Sequence, residues 1–286
     1  MKRKRFSIII FAVVVVLVLA AAAGTLGFKS YYKASETPVS LGLSEKVDSF
    51  IMPVRLIAHR GFSGLAPENT VPAVKAAADA DYDGCEFDIR LTSDGQWVVL
   101  HDNDVSRMTD GEGLVSKMTL EQVRALRIDA GNNVIQYPDE QVPTLEEMLK
   151  ACVDYGIAPV IEIKTEDGQE PDYAYLAGVI RGMGFADARI LSFDMDALTG
   201  LKEYLPDGAY WFLTSKVTTQ QIQLCVQNGV QGIGFNASRK SNLRYIDNIA
   251  DEGLVVSAWT VDNIHLLDRL YDKGVFYITT NMIYPV

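Results

Sequence analysis

Eight short apolar runs, rich in β-branched and aromatic residues, recur along the chain, and segments with helical spacing of apolar residues lie between them. Strands that alternate with helices build parallel sheets, because each connection must cross over the sheet. Eight such units in about 230 residues are typical of a closed barrel. The sequence therefore predicts an α/β fold, a (β/α)8 TIM-type barrel, with strands at Leu56–His59, Gly84–Leu91, Pro159–Lys164, Arg189–Phe193, Tyr210–Thr214, Gly232–Asn236, Val255–Thr260 and Phe276–Thr280.

A further β-rich run, Trp97–His101, follows the sequence Thr92-Ser93-Asp94-Gly95. Asp-Gly between two β-rich runs is a strong hairpin signal. The run is therefore predicted to fold back on the second barrel strand. Residues 103–143, which follow, contain one helical run and do not fit the repeat. We therefore predict a small insertion at this place. Long insertions in a barrel usually contribute to the active site.

The N-terminal residues 1–27 begin with four positive charges in MKRKR and continue with the apolar run Phe6–Leu26. A bilayer span needs about 20 apolar residues, and preceding positive charge keeps the N-terminus in the cytoplasm. We therefore predict a membrane anchor and a cell-membrane protein whose barrel lies outside the cytoplasm. The small residues Ala20–Gly24 offer a cleavage site, so a signal peptide and secretion are the alternative. Residues 28–53 lack periodicity and are predicted to be a linker, which leaves residues 54–286 for the barrel domain.

Charge and cysteine content exclude some functions. The chain carries 37 acidic and 26 basic residues, a net charge of −11. An acidic surface repels polyphosphates, so nucleic acid is excluded as a partner. The cysteines Cys85, Cys152 and Cys225 are widely spaced and are predicted to be buried free thiols. A disulfide between two of them is the alternative if the domain is exported. The oligomeric state is left open.

Ionisable residues gather near the ends of the first two predicted strands. His59 ends one apolar run and His101 ends another. Glu86 and Asp88 are two residues apart in one strand, so both point to the same side of it. Folding back on the hairpin turn brings His101 across from these carboxylates. Two like charges on one face need a cation between them, so the pattern predicts a divalent metal ion on oxygen ligands, with histidines transferring protons beside it.

Short motifs follow one another in order along residues 54–284: His59-Arg60-Gly61, Pro67-Glu68-Asn69-Thr70, Glu86-x-Asp88, Thr92-x-Asp94-Gly95, His101-Asp102, Glu162-x-Lys164, Ser192-Phe193 and Ala258-Trp259-Thr260-Val261. Each motif is short, but the ordered set resembles the glycerophosphodiester phosphodiesterase family. The resemblance implies a hydrolase that cleaves a small-molecule glycerophosphodiester to glycerol 3-phosphate and an alcohol.

The resemblance also implies a metal centre and two proton-transfer groups. The three carboxylates Glu86, Asp88 and Glu162 match the residues that bind one divalent ion in the family. Calcium or magnesium is expected as the cofactor, because the ligands are oxygen atoms. His59 and His101 match the general acid and base, and the sequence leaves open which is which.

Substrate contacts are expected from Lys164, Arg60 and Trp259. Lys164 shares the strand face of Glu162, where a cation can bind a phosphate oxygen. Arg60 either does the same or braces the metal carboxylates. Glu68 is either a further ligand or a favourable charge at a helix N-terminus. The chain departs from the Thr-Asp pair that often follows the last strand in the family, because Asn281 stands there, and we assign no role at that position.

Two alternative functions stay open. One keeps the site and changes the substrate, to a lysophospholipid, as in a lysophospholipase D, or to a cell-envelope polymer with glycerol phosphate units. The other is a surface barrel that binds a phosphodiester without cleaving it.

Overall fold

The computed structural model describes residues 39–40 and 54–285 of the 286-residue chain. In chain order the strands are β1 (Val39–Ser40), β2 (Arg55–Ala58), β3 (Gly84–Leu91), β4 (Trp97–Val99), β5 (Pro159–Ile163), β6 (Arg189–Ser192), β7 (Ala209–Thr214), β8 (Gly232–Asn236), β9 (Val255–Trp259), β10 (Tyr277–Thr280) and β11 (Ile283–Tyr284). The α-helices are α1 (Val71–Asp79), α2 (Leu120–Arg124), α3 (Leu145–Tyr155), α4 (Tyr173–Gly182), α5 (Met195–Tyr204), α6 (Thr219–Gln227), α7 (Ile246–Asp251) and α8 (Ile264–Tyr271). Short 3₁₀ helices lie at Val105–Arg107, Val115–Lys117, Val134–Gln136 and Lys240–Tyr245.

Eight parallel strands form a closed barrel. Their order is β2, β10, β9, β8, β7, β6, β5 and β3, and β2 also pairs with β3 through Ile57 and Gly84, which closes the ring. Helices connect the successive strands, because each parallel connection must cross over the sheet. The predicted (β/α)8 barrel is therefore confirmed.

The predicted hairpin and insertion are also present. Strand β4 pairs antiparallel with β3, with Ile89 opposite Val99. Between β4 and α3 the chain leaves the barrel pattern and forms α2 and three of the short 3₁₀ helices. Helix α2 begins with a capping box, in which the side chains of Thr119 and Gln122 each accept a backbone N–H of the other residue. Local capping of this kind satisfies helix-end donors without help from the barrel.

Side chains alternate between two environments along β3. Cys85, Phe87 and Ile89 are fully buried in the apolar layer between the strands and the helices. Because successive side chains point to opposite faces of a strand, Glu86 and Asp88 point into the barrel. The same alternation in β5 places Ile161 and Ile163 in the outer layer. The apolar layer therefore determines that these carboxylates face inward. A shift of the strand register by one residue would turn them into the apolar layer and the apolar side chains into the barrel.

The predicted localisation is corrected by the structure. In residues 39–40 and 54–285, no helix is long and apolar enough to cross a bilayer. The longest α-helix in this part of the chain, α3, has 11 residues and spans about 16 Å at 1.5 Å per residue, against a bilayer core of about 30 Å. The prediction of a single-pass membrane protein is therefore wrong for the described part of the chain. The predicted anchor, residues 1–27, lies outside the described residues.

The three cysteines, Cys85, Cys152 and Cys225, are buried and form no disulfide with one another. Burial raises the pKa of the Cys152 thiol to about 12, so this thiol stays protonated and packs as a small apolar group. The prediction of buried free thiols is confirmed.

Candidate active site

Three buried carboxylates meet at the carboxyl ends of β3 and β5. Oxygen atoms of Glu86, Asp88 and Glu162 lie within 4.8 Å of one another, and the three residues expose only 2%, 0% and 7% of their surface. The strand register explains the meeting, because Asp88 pairs directly with Glu162 in the β3–β5 ladder. Active sites of such barrels lie at this end of the strands.

The donor set fits a hard divalent cation. Carboxylate oxygens are the ligands that calcium and magnesium prefer. Among the described residues, Oε1 of Glu86 has no hydrogen-bond partner although it is buried, and an unsatisfied buried oxygen is costly. The other oxygen of Glu86, Oε2, accepts the backbone N–H of Arg60 at 2.7 Å. A cation at the cluster would satisfy the remaining oxygen.

Lys164 supplies the positive charge at the cluster. Its Nζ lies 3.1 Å from Oδ1 of Asp88 and also donates to Oε1 of Glu162. Burial raises the pKa of Glu86, and repulsion from Asp88 and Glu162 adds to the rise. Burial and Asp88 raise the pKa of Glu162 to about 7, against the attraction of Lys164. One ammonium group therefore does not fully offset three carboxylates.

Asp88 differs from its two neighbours because more donors surround it. Burial opposes its charge, but Lys164 and Arg60 outweigh burial and lower its pKa. Asn69 Nδ2 donates to Oδ2 of Asp88 at 2.8 Å, and the N–H of Asp88 returns a bond to Asn69 Oδ1. Nε of Arg60 lies 3.7 Å from Oδ2 of Asp88. Of the two predicted roles for Arg60, bracing the carboxylates is the one that these contacts support.

Gly61 allows the first loop to reach the carboxylates. Its φ of +72° lies in the left-handed region, and a Cβ there would lie 2.5 Å from Cβ of Ala73, in α1. Its N–H donates to the carbonyl of Glu86 at 2.8 Å. The close approach of this loop to α1 therefore requires glycine.

We expect Gly61→Ala to lower the free energy of unfolding by about 3 kcal/mol, from backbone strain and from overpacking against Ala73. Gly95→Ala is the matched control, because Gly95 has a similar φ of +77° but nothing within 4 Å of an added Cβ. It should cost only about 1 kcal/mol. Urea unfolding of both variants measures the difference. Equal losses of unfolding free energy in the two variants would show that the close contact with α1 is not what requires glycine at position 61.

The two histidines line the same pocket as Glu86 and Glu162. Nδ1 of His59 lies 2.8 Å from Oδ1 of Asn281, in the loop after β10. Burial, reinforced by the charge of Arg60, lowers the pKa of His59 to about 3, so its ring is neutral at pH 7. Nδ1 of His101 lies 2.6 Å from Oδ1 of Asp102. The hairpin thus brings His101 to the carboxylates, as the sequence predicted.

The pocket is lined by both polar and apolar side chains and has a volume of about 220 Å³. Arg60 and Lys164 line it together with the histidines. Its apolar lining residues include Trp259 and Phe193, whose rings meet edge to face with their centroids 5.5 Å apart. Phe193 is 45% exposed, so this aromatic pair reaches the pocket entrance. Of the eight predicted site residues, Asp88 alone does not line the pocket, because Lys164 and Asn69 cover it.

Comparison with known proteins decides the family. The model of the glycerophosphoryl diester phosphodiesterase family matches residues 59–283. The chain belongs to this family. A glycerophosphodiester phosphodiesterase of Caldanaerobacter subterraneus is 30% identical over 236 residues, which cover 80% of this chain and 95% of the relative. The chain is therefore a hydrolase of the glycerophosphodiester phosphodiesterase family.

Two further comparisons are with proteins of the same kind, one by sequence and one by structure. Mouse glycerophosphodiester phosphodiesterase 1 is 44% identical over 112 residues, which cover 39% of this chain but only 34% of the mouse protein. A phosphodiesterase from Oleispira antarctica, in complex with the product sn-glycerol-3-phosphate, superposes with a TM-score of 0.73 at 29% identity and covers 80% of this chain and 93% of that one.

Sequence reasoning missed an ion-pair network in this phosphodiesterase. Arg107, in the insertion, donates through Nε to Asp102 and through Nη2 to Oε1 of Glu68. Arg60 donates to the same Glu68 oxygen at 2.9 Å. Glu68 is thus the partner of two guanidinium groups. Neither predicted role, a further metal ligand or a favourable charge at a helix N-terminus, included this pairing. No motif marked Arg107, whereas Asp102 stood in a quoted motif without a role.

We expect Glu68→Gln to lower the free energy of unfolding by about 3 kcal/mol at pH 7, because the half-buried guanidinium groups of Arg60 and Arg107 then lose the buried carboxylate that they share. Burial opposes the charge of Glu68, but Arg60 and Arg107 outweigh burial and lower its pKa. A carboxylate whose pKa is lowered by folding stabilises the protein at pH values above the ordinary glutamate pKa of about 4.3. This stabilisation is lost as the pH falls from that value through the lowered pKa of the folded protein. The difference between the variant and the wild type should therefore shrink in acid. Urea unfolding at pH 7 and near pH 3.5 measures it. Glu203→Gln is the control, because Glu203 is exposed on α5. A difference that is the same at both pH values would contradict the ion-pair argument.

Proposed function

We propose that this chain hydrolyses glycerophosphodiesters to glycerol 3-phosphate and an alcohol, with a divalent metal ion as cofactor. The observation that carries the proposal is the meeting of three buried carboxylates, two histidines and a lysine at the carboxyl ends of the barrel strands. The related Oleispira antarctica enzyme was solved with sn-glycerol-3-phosphate as its product, which supports the same product here.

Glu86, Asp88 and Glu162 would hold the ion, and calcium or magnesium suits these oxygen ligands. When bound, the ion would supply positive charge beside the phosphate, which stabilises the negative charge of the transition state. Lys164 would then bind a phosphoryl oxygen, since its ammonium already lies at the cluster. Arg60 would hold Glu86 and Asp88 in place through its backbone N–H and its guanidinium.

His59 and His101 would transfer the protons. The ring of His59 is neutral at pH 7, which is the state that accepts a proton from the attacking hydroxyl of water or of the substrate's own glycerol. His101, with Asp102 beside its Nδ1, would donate a proton to the oxygen of the leaving alcohol. The P–O bond to the alcohol breaks as the new P–O bond forms. With water as the nucleophile this step would give glycerol 3-phosphate directly. With the glycerol hydroxyl it would give a cyclic phosphate, which water would then open to glycerol 3-phosphate with the two histidines in exchanged roles.

Trp259 and Phe193 would pack against the carbon atoms of the glycerol or of the alcohol. Both line the pocket, and Nζ of Lys164 lies over the ring of Phe193 at 5.9 Å from its centroid.

The test is release of the alcohol by the full chain from glycerophosphocholine, glycerophosphoethanolamine and a lysophospholipid, each with calcium, with magnesium and with a chelator. The other product is glycerol 3-phosphate from the first two substrates and its acylated form from the lysophospholipid. Metal-dependent release from the first two substrates would support the proposal. Faster release from the lysophospholipid would move the assignment to a lysophospholipase D. An absence of cleavage with bound metal would favour the envelope polymer or a barrel that binds without cleaving.

A further inference from the structure

A chain of hydrogen bonds ends on Nδ1 of His59. Oδ1 of Asn281 lies 2.8 Å from this nitrogen and also accepts the Ser63 hydroxyl at 2.9 Å. Nδ2 of Asn281 donates to Oδ2 of Asp262 at 2.7 Å. Asp262 lies between β9 and α8, and Asn281 follows β10. The hydrogen bonds therefore link the ends of two neighbouring strands.

The donor and the acceptor in these hydrogen bonds are identified by counting protons. The hydroxyl of Thr280 accepts two backbone N–H groups, from Met282 and Ile283, so its own proton goes to Oδ1 of Asp262 at 3.0 Å. The backbone N–H of Asn281 donates to the same oxygen at 2.7 Å. Oδ1 of Asp262 therefore acts as an acceptor, and a carboxylate accepts through its second oxygen, Oδ2, as well.

The orientation of the Asn281 amide follows. The atom that faces the carboxylate of Asp262 must be the NH₂ group, so the other atom is the carbonyl oxygen. A carbonyl oxygen can only accept, and the atom of His59 that it faces must therefore carry a proton. Since the ring is neutral at pH 7, its second nitrogen, Nε2, has a free lone pair.

We infer that Asp262 and Asn281 are positioning residues that hold His59 in the Nδ1–H tautomer and thereby make Nε2 its proton-accepting atom. The catalytic consequence rests on the proposed function, but the tautomer does not. Charged groups that act on the ring from other elements are Arg60, Asp88 and Glu68, and none of them bonds to Nδ1 in the described structure.

Asp262→Asn provides a sharp test, because the two oxygens of Asp262 are not equivalent. Oδ1 accepts a backbone N–H that cannot turn round, so the new NH₂ group must take the place of Oδ2. It then faces the NH₂ group of Asn281, and two donors cannot bond. The amide of Asn281 has to flip, which presents a donor to Nδ1 of His59 and switches the ring to the Nε2–H tautomer.

The exchange Asp262→Asn with Asn281→Asp should reverse this switch. The NH₂ group of residue 262 then donates to the new carboxylate at position 281, and that carboxylate accepts from Nδ1 of His59. The double variant also restores the Thr-Asp pair from which this chain departs. Asp83→Asn is the matched control, because Asp83 likewise accepts a backbone N–H and a side-chain donor, from Leu56 and Arg55, at the opposite end of the barrel.

The measurement is the two-bond ¹H–¹⁵N correlation spectrum of the full chain labelled at histidine, in which protonated and unprotonated ring nitrogens resonate far apart. The chain has three histidines, and His59→Gln identifies the signals of His59. We expect the Nδ1–H pattern in the wild type, in the control and in the double variant, and the Nε2–H pattern in Asp262→Asn. The rate constant kcat for glycerol 3-phosphate release should fall roughly 10²-fold or more in Asp262→Asn and recover in the double variant.

An Nε2–H pattern for His59 in the wild type would overturn the inference, even if Asp262→Asn failed to fold. An unchanged tautomer in a folded Asp262→Asn variant would overturn it too. Failure of the proposed function would look different, since an Nδ1–H pattern without cleavage of any phosphodiester would leave the positioning role intact and remove only the reaction.

Discussion

Removal of divalent cations by a chelator is expected to lower the rate of glycerol 3-phosphate release by roughly 10³-fold. Glu86→Gln should lower this rate by a similar factor at cation concentrations that support the activity of the wild type. The reason is that a metal ion supplies several kcal/mol of charge stabilisation in the transition state, and about 1.4 kcal/mol corresponds to a factor of ten in rate. Glu86 is the sharpest position to change, because its Oε1 has no other partner among the described residues. Steady-state assays with and without added calcium or magnesium measure the effect.

Glu203→Gln is the matched control for this experiment, because Glu203 lies exposed on α5, outside the barrel. It should leave both activity and metal binding unchanged. Calorimetric titration of the metal-free protein provides a second readout, in which Glu86→Gln should weaken binding. A rate that persists in excess chelator and in Glu86→Gln would remove the metal from the proposal.

His101→Ala is expected to lower kcat by about 10²–10⁴-fold on glycerophosphocholine, as the loss of a general acid does. The leaving alcohol makes the role testable. A nitrophenol departs without a proton, so the glycerophosphate ester of nitrophenol should be cleaved by His101→Ala at a rate much closer to that of the wild type. His59→Ala should slow both substrates equally, because the attacking hydroxyl is the same in each.

His265→Ala is the control, since His265 is exposed on α8 and outside the pocket. Its kcat should match that of the wild type on both substrates. If His101→Ala lost the same factor on both esters, the assignment of His101 as the proton donor would be wrong. If His59→Ala selectively spared the nitrophenyl ester, the two roles would have to be exchanged.

Much of the barrel and the position of the carboxylates could be predicted because both depend on local patterns. The period-two alternation in β3 placed Glu86 and Asp88 on one face, and the Asp94-Gly95 turn brought His101 back to them. The partners that hold the site could not be predicted in this way. Asn281 and Asp262 reach His59 only because β9, β10 and β2 are neighbours in the closed ring, and no short motif records that neighbourhood.

Other predictions failed or stayed untested for different reasons. The role of Arg107 depends on the path of the insertion, which has little periodicity to interpret. The localisation relied on the apolar N-terminal run alone, and nothing in the described residues supports a span. The metal-binding, proton-transfer and substrate-binding roles remain predictions, because proximity in a pocket does not by itself establish chemistry.

The contacts of Arg107 limit how this phosphodiesterase can exchange parts with its relatives. The insertion that begins after Asp102 contributes the cation that joins Asp102 to Glu68. A chimaera that received this segment from another enzyme without an arginine at that place would lose the cation that joins Asp102 to Glu68, and of its two guanidinium partners Glu68 would keep only Arg60. Segment grafts intended to transfer substrate preference must therefore carry the arginine with them, and barrel and insertion are expected to vary together in evolution.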